Sequence, residues 1–126
     1  MNIIIKTKNI ELGAPLEAFI NKKIGGLKKF LGAFQSHALP MTEGRNLFDT
    51  FVEVERDSNH HKQGKVFKAE VKIYMPGRNL FAKASAENII TAISEVRDEL
   101  ETEIRKYKAK VVEFPRRKAK QSKNRQ

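Results

Sequence analysis

The residues in this chain best equipped for chemistry are its bases. Lys22 and Lys23, followed six positions on by Lys28 and Lys29, place four cations within about two turns of a helix. Arg105, Lys106, Lys108 and Lys110 crowd a second set into the end of a periodic stretch. After Pro115 come Arg116, Arg117, Lys118, Lys120, Lys123 and Arg125, with no acid among them. Clustered ammonium and guanidinium groups neutralise phosphates and release counterions, which makes binding to a polyanion steeply salt-dependent. Each cluster also has a plainer account. The first is compatible with a solvated helix face, and cations at a helix C-terminus offset its dipole. Glu101 and Arg105 form an i,i+4 pair, and a charged tail also aids solubility.

Catalytic chemistry has less to work with. His60 and His61 fall in the polar run DSNHHKQG (57–64), and adjacent residues on extended chain point to opposite faces, so the pair is a poor chelate. Glu53 and Glu55 share a strand face and have the types needed for acid–base work, but alternation on a wetted sheet face explains them equally well. No phosphate-binding glycine loop, dinucleotide fingerprint or nucleophile elbow is present. These observations point away from an enzyme, a metal site, a cofactor and a small-molecule substrate.

Composition sets the frame. The 126 residues, 40% hydrophobic, suit one domain with a buried core. The absence of cysteine excludes disulfides and thiolate chemistry. The opening apolar run is too short for a signal peptide, and no stretch approaches the roughly 20 apolar residues of a membrane span. A soluble, cytoplasmic protein is expected. Twenty-five bases against 15 acids give a net charge of +10, and more than half of that excess lies beyond Pro115. Such a balance favours a polyanionic partner, nucleic acid or an anionic membrane surface.

The elements that must position these groups follow from periodicity. Residues 2–7 are β-branched and compact and read as a strand. Leu16, Phe19, Ile20, Ile24, Leu27 and Leu31 recur at helical spacing over 14–31, with Pro15 suited to the first turn and Gly32 to the stop. Gly25-Gly26 inside that stretch implies either a kink or a close backbone approach. Residues 33–47 read as a loop. Residues 48–56 alternate as a second strand, with Thr50, Val52 and Val54 on one face. Residues 65–75 form a third, with Phe67, Ala69, Val71 and Ile73 facing the core and Lys68, Glu70, Lys72 and Tyr74 facing solvent or a partner. Tyr74 has the type and the face to stack on a base, and is equally compatible with the commoner role of an amphipathic surface tyrosine. Pro76-Gly77 fits a tight turn, with positive φ at the glycine. Residues 79–84 form a fourth strand. A long helix follows over 87–110, striped by Ile89, Ile93, Val96, Leu100, Ile104 and Tyr107, with Ser85 as its expected cap. The order is β-α-β-β-β-α, an α+β two-layer sandwich with both helices on one face of a four-stranded sheet. It defines a domain over 1–112 and a disordered basic tail over 113–126.

The segments MNIIIKTKNIEL, PLEAFINKKIGGLKKF and FKAEVKIYMPGRNLFAKASAENIITAISEVRDELETEIRKYKAK together resemble the ribosome hibernation-promoting factor family, also called ribosome-associated inhibitor or sigma-54 modulation proteins. The resemblance covers about residues 1–110 and implies a sandwich similar to double-stranded-RNA-binding domains. It also implies binding to the small ribosomal subunit and the 70S ribosome through 16S rRNA, in the decoding region where mRNA and tRNA lie, with inhibition of translation and ribosome hibernation under stress. By position, Lys23 matches the family's basic residue in helix one. Lys28 and Lys29 fall in its positively charged surface, and Lys106, Lys108 and Lys110 match its K-x-K-x-K ending. The chain differs from the family pattern at 88–94, at Glu99, where a base is common, and at Gly26, where lysine is common. It resembles the short form, without a second domain. The tail residues Arg116, Arg117 and Lys118 are expected to follow RNA phosphates. The alternative reading is a general RNA- or DNA-binding regulatory protein using the same basic surface.

Overall fold

The strict alternation over the third strand is realised to the residue. In a computed structural model, which describes residues 1–32, 34, 48–57, 66–75 and 77–110, Ala69, Val71 and Ile73 are buried while Lys68 is exposed. The elements are β1 (Asn2–Lys8), α1 (Ala14–Gly25), α2 (Lys28–Leu31), β2 (Asp49–Arg56), β3 (Phe67–Met75), β4 (Arg78–Ala86) and α3 (Ile89–Lys108). The sheet runs β1-β2-β3-β4, with β1 parallel to β2 and the other pairs antiparallel. A parallel neighbour demands a crossover, and the connection between β1 and β2 supplies it with α1 and α2.

The core lies between the sheet and the helices. Val52, Val54, Val71, Ile73 and Leu80 meet Ile20, Ile24, Leu27, Ile93, Val96, Leu100 and Ile104, all essentially inaccessible to water. Thr50 is the buried polar residue among those described, and its hydroxyl donates to the Phe48 carbonyl at 3.0 Å, so no hydrogen-bonding capacity is wasted.

Three local features differ from the sequence expectation. The helix expected over 14–31 is broken: α1 ends at Gly25, Gly26 caps it, and the chain tightens through a Leu27 N–H to Ile24 carbonyl bond of 3.0 Å before α2 begins. The outcome at the glycine pair is an interruption of the helix, with Gly26 and Leu27 still in right-handed helical conformation. Gly25 itself meets no close neighbour, since a Cβ there would stand an ordinary 3.8 Å from Ile3. Second, Ser85 belongs to β4 and does not cap the last helix. Asn88 does, in extended conformation, its side-chain oxygen accepting from the Thr91 N–H at 2.8 Å. Third, β2 begins at Asp49, because Phe48 adopts a left-handed φ of 63°. Gly77 takes the positive φ expected of it, 77°. The loop at 35–47, the His60-His61 turn and the tail from 111 onward lie outside the described residues.

Candidate nucleic-acid interface

The end of α1 and the middle of α3 lie side by side over the sheet. Between them is an open groove of about 420 Å³, lined by Lys22, Lys23 and Gly26 from one wall and Ser94, Arg97 and Asp98 from the other. The sequence places both lysines in the last turn of α1, where cations offset the partial negative charge of the free carbonyls. The stripe of Ile20 and Ile24 turns into the core and leaves Lys22 and Lys23 outward. Gly26 leaves its part of this wall without a side chain.

Arg97 was not among the residues singled out by sequence. Its side chain is largely covered, and its guanidinium is held by Asp98 at 3.3 Å and Glu101 at 3.5 Å. Glu101 also holds Arg105 through its other oxygen, at 3.5 Å, so one carboxylate bridges two arginines along α3. The Arg105 guanidinium in turn lies 5.4 Å from the Phe30 ring, and the Lys29 ammonium lies 5.1 Å from the same ring. Phe30 thus brings Lys29 to the end of α3. Lys22, Lys23, Lys28 and Lys29 are exposed and form no ion pair among the described residues, so their charge is offered to solvent or to a ligand.

The other expected contacts are placed less centrally. Lys106 pairs with Glu103 at 3.8 Å and stands roughly 180° around the helix from Arg97, at 3.6 residues per turn. Lys108 is half-buried on the Arg97 side of α3, and Lys110 is exposed past the helix end. Arg116, Arg117 and Lys118 lie outside the described residues. Glu53 is exposed on the opposite, outer face of the sheet, where Glu55 pairs with Lys8 at 3.7 Å. Among the described residues no group of three or more His, Asp or Glu is arranged to hold a metal, and no helix is long and apolar enough to cross a membrane.

What the geometry can do is meet phosphates: exposed lysines on one wall, and on the other a serine hydroxyl and an arginine braced by the Asp98 carboxylate beside it. These features define a small α+β sandwich with a cationic helix face. Residues 3–112 match the model of the family described as sigma 54 modulation protein / S30EA ribosomal protein, and the chain belongs to that family. Its fold is similar to the crystal structure of the Thermus thermophilus Protein Y N-terminal domain, with a TM-score of 0.63 at 18% identity, covering 85% of this chain and 99% of that one. It is similar also to a ribosomal subunit interface protein from Coxiella burnetii, with a TM-score of 0.58 at 17% identity, covering 86% of this chain and 99% of that one. The family resemblance and the β-α-β-β-β-α order read from the sequence are both borne out.

Proposed function

We propose that this protein binds the small ribosomal subunit in the decoding region and, by occupying the mRNA and tRNA path, inhibits translation and promotes ribosome hibernation in the cytoplasm. The observation that carries the reading is the groove in which Lys22 and Lys23 face Arg97 across α1 and α3. Family membership supports it, as does the description of a structural neighbour as a ribosomal subunit interface protein. In this reading 16S rRNA phosphates meet Lys22, Lys23, Lys28 and Lys29, and Arg105 and Lys108 extend the contact along α3. Lys106, Lys110 and the tail bases Arg116, Arg117 and Lys118 add outer phosphate contacts. Inhibition is stoichiometric and weakens with salt, since it rests on charge.

Co-sedimentation with small subunits and 70S ribosomes across a salt series, with and without mRNA and initiator tRNA, tests this. Saturable binding displaced by tRNA is expected. Unsaturable binding, or equal binding to free duplex RNA, would leave a general RNA binder and remove the decoding-region assignment.

A further inference from the structure

The sheet face turned away from the helices carries three large apolar side chains in the open: Ile4 and Phe51, each 37% exposed, and Phe81, 54% exposed. They are aligned. The register pairs Ile4 with Phe51, Phe51 with Lys72 and Lys72 with Phe81, which makes one row across all four strands. Tyr74 shares this face, two residues along β3, and meets the Phe51 ring edge-on at 5.6 Å. The Lys72 ammonium lies 5.1 Å from the Tyr74 ring centroid.

A face built for a protein partner keeps lysine out of its centre. Here lysine stands in the middle of the aromatic row, and the next row runs Lys6, Glu53, Glu70, Lys83. The charges on this face balance, Lys6, Lys8, Lys68, Lys72 and Lys83 against Asp49, Glu53, Glu55, Glu70 and Asp57, but Glu55 is taken by Lys8 and Asp57 by Lys68, and Lys72 in the aromatic row forms no ion pair among the described residues. Exposed rings interleaved with cations suit single-stranded nucleic acid, because every unpaired base offers a face for stacking and every linkage a phosphate. Strands about 4.8 Å apart put Phe51 and Phe81, two strands apart, about 10 Å from each other, room for successive unpaired bases with Lys72 between them.

We propose that the outer sheet face, centred on Phe51, Lys72, Tyr74 and Phe81, is a second RNA-binding surface that takes unpaired nucleotides by stacking. It is separate from the helix groove and does not depend on the function proposed for that groove. The test uses the full chain and a fluorescein-labelled short single-stranded oligouridine, followed by anisotropy, with amide chemical shifts to locate the contact. Phe81→Ala and Phe51→Ala should each weaken binding by about fivefold or more, and Phe81→Tyr should keep it, because a ring is retained. Shifts should appear at residues 51, 72 and 81. Unchanged affinity in both alanine variants, with thermal melts showing them folded, would overturn the proposal. So would shifts confined to α1 and α3. If Phe81→Ala instead abolished a concentration-dependent dimer and left oligouridine binding intact, the face would be an interface between copies, and the proposal would fall.

Discussion

The two faces of the sandwich carry similar residue types in opposite arrangements. On the helix face Phe19 and Phe30 are half-buried: Phe30 lies between Lys29 and Arg105, and the Lys23 ammonium sits 5.8 Å from the Phe19 ring. Cations there project from packed rings toward a groove. On the sheet face the rings themselves project, and lysines stand beside them in register. The first arrangement suits a phosphate backbone whether or not the bases are paired. The second suits bases that are out of the stack. Composition alone does not distinguish the two, whereas placement on a helix or a strand does.

The largest effect that would sharpen this contrast is on the helix face. Changing Lys22, Lys23, Lys28 and Lys29 together to alanine should lower small-subunit affinity on the order of a hundredfold and reduce the log–log salt slope by about four. Circular dichroism should show the fold retained, and unchanged binding at physiological salt would remove this face as the contact. Next, Leu100→Ala empties a position under both faces and should cost about 2–5 kcal/mol in urea denaturation. A far smaller loss would mean that the shared core is looser than its burial implies. Arg97→Ala should weaken small-subunit binding about tenfold, the value of one charge-assisted hydrogen bond, and leave oligouridine binding as it was. Asn88→Ala removes the α3 cap and should cost about 1 kcal/mol, seen as a lower denaturation midpoint, without favouring either face. Smallest is Glu101→Gln. Releasing Arg97 and Arg105 from their shared carboxylate should raise RNA affinity a few fold in a filter-binding assay, because such partly exposed pairs contribute only about 0.2–1 kcal/mol. A loss of affinity would show that Glu101 is needed to aim the arginines.

Much of the architecture was legible because it rests on local repetition. The alternation from Phe67 to Met75 and the stripe from Ile89 to Tyr107 each follow from burying one face, and neighbouring residues carry the whole signal. Where two outcomes share one local signature, the sequence did not decide. The glycine pair at 25 and 26 was compatible with a kink or a close approach, and the fold shows an interrupted helix with only ordinary contact at Gly25. Ser85 and Asn88 are both good caps. The choice fell to Asn88 because β4 continues far enough to bury Ala86. The left-handed turn at Phe48 has no glycine or asparagine to announce it.

The site divides along the same line. Lys22 and Lys23 were found by clustering, but their partner Arg97 sits more than seventy positions away, alone among acids on α3, and only the fold brings it across. The sign available beforehand was its isolation: one base among Glu95, Asp98, Glu99 and Glu101, at i,i+4 from the last of them.

The parallel edge strand has a consequence for how the native state opens. β1 is paired along one side only, and its inward residues Ile3, Ile5 and Thr7 are half-buried, whereas those of β2 and β3 are sealed. Its release leaves the β2–β3–β4 meander and α3 standing, so amide hydrogen exchange is expected to be faster in β1 than in β2 and β3. Such an excursion bares the β2 backbone along Val52 and Val54, a template for foreign strands. The short N-terminal segment, with Lys6 and Lys8 on its outer face, therefore works as a guard rail against aggregation as much as a member of the sheet.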